Sequence, residues 1–380
     1  MQVHSPPSNI IDTMPLFIDY HVFPEVTIEE VKLAHLADQA IQDEYNVKYH
    51  QFWVNEAAGT VFCLIEAPDK ESCARVHQEA HGNVACNLIE VERGFYNDFL
   101  GNQQRVEQGL VKHPDGSVDT GYRFVLVIQI IGNTDIMDEG AYKRLKLPEE
   151  ARIITSEIID RYYAKRIVNL GEDSIIATFI NADRALRCAL EIQSILAQHN
   201  GRGAAAKWDI SFTMGLSAGQ PLTHREGLFE KAIQWAHRLS LAAAEGELLV
   251  GHLVTKLCER NEIKEDQGLL RLMRKQDEVF LERFFNIAEA GISDHSIGVD
   301  ELSHELCVSR PQLYRKVTAL TGRSPVSFLR DMKMQKALNL LRDKQQNISE
   351  IALELGYSTP SYFSKCFQEK FGVPPSRAQV

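Results

Sequence analysis

Apolar and polar residues alternate in MPLFIDYHVF, VKYHQFWV and GTVFCLIEAP, the period of strands that turn one face to a core. Between these runs the period lengthens. TIEEVKLAHLADQAIQDEY spaces its apolar residues as a helix does, with Thr27 placed to cap it and Glu30 at the capping-box position. DKESCARVHQEAHG predicts a second helix, ended by Gly82, and NLIEVE predicts a last strand. The order over residues 14–92 is βαββαβ. Residues 93–120, polar and turn-rich through HPDGSVDTG, read as a connector.

From residue 121 strands and helices alternate again. YRFVLVIQII predicts a buried strand, EEARIITSEIIDRYYAK a helix, NLGEDSIIATF a strand pair, and ADRALRCALEIQSILAQH an amphipathic helix. WDISFTMGLSAGQP and GLFEKAIQWAHRLSLAAAEGELLV continue the alternation, which predicts an α/β sandwich over residues 121–258. Residues 259–295 are charged and read as a helical linker. Leu269, Leu272, Val279, Leu281 and Phe284 are spaced for one or two packed helices, broken near Gly291.

Beyond residue 296 the pattern is helical and occurs twice. In NISEIALELGYSTPSYFSKCFQEKFGVPP, Ile348, Ile351, Ala352 and Leu355 fall at i, i+3, i+4 and i+7. Gly356 supplies a turn, Ser358 and Thr359 can cap the next helix, and Pro360 suits its first turn. That helix turns Phe363, Cys366, Phe367 and Phe371 inward and Ser361, Ser364, Lys365 and Gln368 outward. Upstream, VDELSHELCVSRPQLYRKVTALTGRSP repeats the design. Leu306, Ser309, Pro311 and Gly322 answer Leu355, Ser358, Pro360 and Gly372, with a one-residue slip after the turn. Residues 326–342 read as a connecting helix. A short helix, a tight turn and a second helix with a polar, basic outer face suit the major groove of DNA.

Charge supports this division. The chain carries a net −11, yet residues 299–380 hold twelve Lys/Arg against eight Asp/Glu, a surplus of +4 that leaves −15 on the rest. A basic tail on an acidic body fits one nucleic-acid module joined to domains that do not meet DNA. Seven cysteines without close pairs exclude a disulfide framework. The longest apolar run, FVLVIQII, is too short to cross a bilayer, and no signal-peptide pattern is seen, so a soluble cytoplasmic protein is expected.

The doubled unit resembles the DNA-binding domain of AraC/XylS-type transcription regulators. SYFSKCFQEKFGVPPS and GRSPVSFLRDMKMQKALNLL carry the match, over residues 296–380. Ser376, Arg377 and Ala378 depart from the aromatic and Arg usual in that family after the prolines. The resemblance implies double-stranded DNA as partner. Arg310, Gln312, Tyr314 and Arg315 on the first reading helix, and Ser361, Ser364 and Lys365 on the second, would face bases and phosphates. Arg and Gln each can bond twice to one base, guanine and adenine respectively. Two units on a rigid helix could enter successive major grooves, about 34 Å apart.

Histidine is concentrated near the amino end, at His21, His35, His50, His77 and His81, with Cys63 on a predicted strand. His77 and His81 are four apart on one helix face, a spacing that lets two imidazoles share an ion. The same spacing also serves solvated or core histidines, and a lone strand cysteine serves as a small core residue. Imidazole with thiolate favours nickel, copper or zinc over magnesium or calcium. DYH, AHLAD, GTVFCLIEAP and HQEAHG, in this order, resemble a small ferredoxin-like family described as nickel-binding. On that resemblance His21, His35, Asp38, Cys63, His77 and His81 fall on its recurrent positions. The metal set expected here is His21, His35, Cys63, His77 and His81.

Residues 121–258 resemble a class III nucleotide cyclase domain. Such cyclases hold two metal ions on two aspartates. The second falls on Asp173 in GEDSIIATF, whereas the first falls on Gln129, a neutral amide that binds a divalent ion weakly. Gln234 stands at the usual asparagine of AIQWAHRL, and Arg238 is kept. The shape is expected without the chemistry, with Asp173 and Arg238 as candidate ligand contacts. A surface acid and a helix salt bridge are the alternatives for those two. Because the family builds its sites between subunits, a homodimer is expected.

The fold class expected is therefore α+β multidomain: a ferredoxin-like βαββαβ domain, a central cyclase-like α/β sandwich and an all-α tandem helix-turn-helix. The function expected is that of a DNA-binding transcription regulator, not an enzyme, controlled by a transition metal such as nickel or by a small ligand. A nucleotide cyclase with a DNA-binding tail and a metal storage or delivery protein are the competing readings.

Overall fold

The structure, a computed structural model, describes residues 14–100, 105–132, 149–167, 174–200, 210–221, 227–258, 269–293 and 297–378. Contacts divide it into two units, Met1–Tyr122 with Gln220–Glu230, and Arg123–Gly219 with Lys231–Val380.

The first unit runs β1 (Leu16–Val22), α1 (Ile28–Ile41), β2 (Lys48–Asn55), β3 (Thr60–Glu66), α2 (Lys70–Ala80) and β4 (Asn87–Glu90). Its sheet begins β4-β1-β3-β2, the ferredoxin-like order. Thr27 and Glu30 form the predicted capping box: the Glu30 N–H donates to Thr27 Oγ1 at 3.3 Å, and the Thr27 N–H to Glu30 Oε2 at 2.9 Å. Phe17, Val31, Phe52, Ile65 and Val76 fill the space between sheet and helices.

The expected connector is structured instead. It forms α3 (Arg93–Phe99) and the hairpin β5 (Arg105–Glu107) and β6 (Leu110–Lys112). β6 lies against β2 in parallel, and the Phe52 N–H donates to the Gly109 carbonyl at 2.8 Å. The four-strand order leaves the edge of β2 open, and an unpaired edge gains from such a cover. Leu110 and Val111 are buried there, but a three-residue strand is too short to show a period.

The second unit runs β7 (Arg123–Gly132), α4 (Glu149–Arg161), β8 (Lys165–Ile167), β9 (Ser174–Phe179), α5 (Ala182–His199), β10 (Ile210–Gly219), α6 (Glu230–Ala242), β11 (Leu248–Val250), α7 (His252–Leu257) and β12 (Leu270–Leu272). The order β12-β11-β10-β7-β9-β8 contains a second βαββαβ core, β10-β7-β9-β8, extended by two parallel strands. Leu126, Ile128 and Ile130 of β7 pack with Ile158 of α4 and Ile192 of α5. On the other face α6 lies so close to β10 that a Cβ on Gly215 would sit 2.1 Å from the Ala236 carbonyl oxygen.

Residues read as a helical linker split between this sheet and the carboxyl-terminal helices. Leu270–Leu272 is an edge strand, and α8 (Lys275–Ser293) runs through Gly291 without a break. Gly291 serves contact rather than a stop, since a Cβ there would lie 2.5 Å from Ile297 Cβ. The chain then forms α9 (Val299–Glu305), α10 (Arg310–Thr321), α11 (Pro325–Asp343), α12 (Ile348–Glu354), α13 (Pro360–Phe371) and α14 (Pro375–Ala378). Gly322 and Gly372 end α10 and α13 in the left-handed conformation, at φ 69° and 72°. Thr359, not Ser358, caps α13, accepting from the Tyr362 N–H at 3.3 Å, so Ser309 answers Thr359. Among the described residues no helix is long and apolar enough to cross a membrane.

Candidate metal centre and nucleic-acid-reading helices

Four elements of the first unit converge on one buried polar cluster. β1 alternates, so Phe17, Asp19 and His21 share the face that looks toward the helices. β3, hydrogen-bonded beside it, brings Cys63, whose N–H donates to Asp19 Oδ1 at 2.6 Å. α1 supplies His35 and Asp38, and α2 supplies His77 and His81, pairs spaced to lie on one helix face. Asp19 Oδ2 is 3.1 Å from His21 Nε2 and 2.8 Å from His77 Nε2. On its other side His77 Nδ1 is 3.3 Å from Asp38 Oδ1 and 3.2 Å from His81 Nε2. His77 thus bridges two ligand trios, Asp19–His21–Cys63 and Asp38–His77–His81. All of these but Asp19 line a cavity of about 300 Å³ that His35 also borders.

Burial and charge oppose each other here. Burial would raise the Asp19 carboxyl, but His21 and His77 hold it well below the usual range. Burial also works against a charged imidazole at His77, yet hydrogen bonds and charges from Asp19 and Asp38 hold its pKa up at about 10. Burial pushes the Cys63 thiol far up, and both aspartates push the same way. Burial lowers His35 despite the two aspartates. The cluster therefore carries an imidazolium between two carboxylates, beside a protonated thiol and a neutral imidazole.

The residues fit a late first-row divalent ion. His35 Nδ1 and Nε2 and His21 Nδ1 are buried without a hydrogen-bond partner, and orphaned buried nitrogens call for one. Carboxylate, imidazole and thiol together match nickel, copper or zinc better than the hard oxygen-seeking ions. All five expected metal residues lie in this cluster. Asp19, which sequence reasoning passed over, sits at its centre. Locally it shows only as Asp19–Tyr20–His21, two polar residues at the period of a strand, with nothing there to name Cys63 or His77. His50 lies apart, 3.1 Å from Glu66.

In the second unit the reading helices present polar faces. Arg310, Gln312, Tyr314 and Arg315 are exposed on α10, as are Ser361 and Lys365 on α13, with Ser364 half-buried. Two of them already have partners: Arg310 pairs with Asp300, and Gln312 Oε1 accepts the Ser309 N–H at 3.0 Å as part of a cap. Tyr362, 55 % exposed between Ser361 and Lys365, joins that face. Of the cyclase-like pair, Asp173 lies outside the described residues. Arg238 is not open to a ligand: it is buried and holds Glu289 of α8 with two bonds, of 3.0 and 2.6 Å. The helix salt bridge, the alternative for this residue, is what forms.

Residues 302–379 match the family model described as helix-turn-helix domain, and residues 17–91 the model described as nickel responsive protein SCO4226-like. The chain carries both domains, and the helix-turn-helix domain is of AraC type. The histidine kinase P4 of Formosa agariphila is 39% identical over 103 residues, 27% of this chain and 8% of that protein. The HTH-type transcriptional regulator GbdR of Pseudomonas aeruginosa is 30% identical over 139 residues, 37% of this chain and 36% of that protein. The chain thus spans well under half the length of these relatives. The crystal structure of SCO4226 from Streptomyces coelicolor A3(2) is 38% identical, over 20% of this chain and 94% of that one, with a TM-score of 0.19. Neither family model reaches residues 121–258, and the cyclase resemblance rests on their sequence.

Proposed function

We propose that the protein is a transcription regulator that reads duplex DNA with α10 and α13 and answers to a late first-row metal, nickel first, held in the first unit. The observation that carries this reading is one chain with two built features: a doubled helix-turn-helix with outward polar faces, and a buried cluster of orphaned nitrogens, carboxylates and a thiol. Asp19, His21, Cys63, Asp38, His77 and His81 would hold the ion, with His35 at the cavity wall. A bound divalent cation would supply the positive charge that the His77 imidazolium supplies without it. Its binding would displace that proton to solvent and favour loss of the Cys63 proton, since metal ligands must be deprotonated.

Arg315 and Lys365 supply charge to phosphates or bases, and Tyr314 and Tyr362 supply flat apolar surface with a hydroxyl. The metal's effect is proposed to pass through a homodimer, because the fold that residues 121–258 resemble builds its sites between subunits. The test is selection of duplexes from a random-sequence pool by the full chain, followed by titration of the selected duplex with and without nickel. A change of about fivefold or more in affinity is expected, the usual lower bound of allosteric coupling. No enriched duplex at low salt would end the DNA reading. Stoichiometric nickel with unchanged DNA affinity would end the sensor reading in favour of storage or delivery.

A further inference from the structure

Two arginines in the second unit each close the end of a helix belonging to the other half of that unit. The last carbonyls of a helix have no partner within it and carry its partial negative charge, so a guanidinium placed there is held strongly. At the carboxyl end of α10 those groups are the Ala319 and Leu320 carbonyls, and both accept from Arg271 Nη1, at 3.2 and 2.6 Å. Arg271 lies on β12, the edge of the central sheet, and Glu247 fixes it with two further bonds of 2.8 and 2.9 Å. At the carboxyl end of α6 the arrangement is reversed. Arg323, in the turn between α10 and α11, donates to the Leu241 carbonyl and, at 3.4 Å, to the Ala243 carbonyl. Its guanidinium lies over the Phe328 ring, 4.7 Å from the centroid.

Between these closures runs a continuous apolar core. Leu239 and Ala242 of α6, Phe280, Phe284 and Phe285 of α8, and Leu313, Val317 and Phe328 of the helix-turn-helix belong to one buried cluster. α8 is itself pinned to α6 by Arg238–Glu289 and by Trp235, which donates to Glu278. The chain of charge also continues outward. Asp331 on α11 accepts from Arg323 at 2.9 Å and lies 3.3 Å from Lys370, in the last turn of α13.

We propose that the central sheet, α8 and the first helix-turn-helix unit form one mechanical body, locked by Arg271 and Arg323, and that Asp331 ties the second reading helix to it. The DNA-reading tail is then not tethered loosely behind a sensor. Its two reading helices are set relative to each other by the central domain, and Arg323 and Asp331 are positioning residues for them. The outward faces of α10 and α13 stay exposed in this docked arrangement, so docking presents these helices rather than hiding them.

Amide hydrogen exchange of the full chain, followed by mass spectrometry without metal or DNA, tests this independently of whether any duplex binds. In Arg271→Lys/Arg323→Lys the charge stays but the two-pronged reach to paired carbonyls is lost. Exchange is expected to rise at least tenfold on both sides of the lock together, in the last turns of α6 and α10, while β1 to β3 are unchanged. Asp331→Asn is expected to raise exchange most in the last turn of α13 and less at α6, where Arg323 keeps its two carbonyls and the Phe328 ring. Unchanged exchange in the lysine pair, a rise confined to one side, or an Asp331 effect equal at α6 and α13 would overturn the proposal.

Discussion

The amino-terminal cluster and the DNA-reading faces are both polar, yet they are built in opposite ways. Asp19 is fully buried, and its partners come from two strands and one helix, so its position depends on the fold of the whole unit. Arg315 and Lys365 are exposed on single helices, and their positions depend on where those helices start. A buried polar group is costly unless paired, whereas an exposed one costs little either way. The first arrangement is therefore all-or-none, and the second tolerates change residue by residue.

Asp19→Asn is the hardest blow to the buried site. It removes the carboxylate that His21 and His77 share and leaves His77 with Asp38 alone. Breaking a buried charged pair from one side costs about 3 kcal/mol or more. Amide exchange across β1 and α2 of the full chain should report that loss. Nickel binding by the same variant, read by calorimetry, should weaken about a hundredfold if Asp19 holds the ion. Unchanged exchange and unchanged affinity together would place Asp19 outside the centre.

On the exposed side the counterpart is Arg315→Ala. The expected loss is about 2 kcal/mol on a selected duplex if the guanidinium reaches a base, and a uniform loss on all duplexes if it reaches a phosphate. The fold should not notice, because Arg315 packs into no core. A variant that also loses stability would show that this face is tied to the core after all.

The same contrast decided what the sequence could reveal. The tandem helices were legible because their signals are local: Pro311 and Pro360 at the starts, Gly322 and Gly372 at the ends, Leu313 and Phe363 on the inner faces. The histidines and Cys63 were legible as a type of chemistry. Asp19 was not, because its role comes from the register of β1 against β3 and from His77, far along the chain. β6 and β12 escaped because three residues show no period. Gln312 was read as a base contact, although Ser-x-x-Gln also spells a helix start, and its oxygen is used that way. Arg238 was offered as a ligand contact because nothing local to it names Glu289.

Acidity separates the two regions next. For metal, an ion entering the cluster must displace the His77 proton, whose pKa stands at about 10. Nickel affinity should therefore fall as pH falls, by up to about tenfold per unit below that value, or about 1.4 kcal/mol. For stability without metal the sign is opposite. A pKa raised above the ordinary 6.5 means stabilisation that is complete below 6.5 and is lost as pH rises through about 10. Calorimetric titrations at pH 6, 7 and 8, beside urea melts of the metal-free chain, check both signs. A nickel affinity flat across that range would mean that His77 keeps its proton and does not hold the ion.

The smallest effect compares the two reading helices themselves. Thr359 caps α13 through its side chain, accepting the Tyr362 N–H. At α10 the Ser309 N–H and hydroxyl both donate to Gln312 Oε1. Removing a capping side chain costs about 1 kcal/mol. Thr359→Ala should show that loss, because the Tyr362 N–H is left without its acceptor. Ser309→Ala should cost less, because the bond from its backbone N–H to Gln312 survives. Urea unfolding of the two variants, followed by helix content, orders them. Equal losses would mean that the hydroxyl rather than the backbone carries the first cap, and that Gln312 could be released to DNA cheaply.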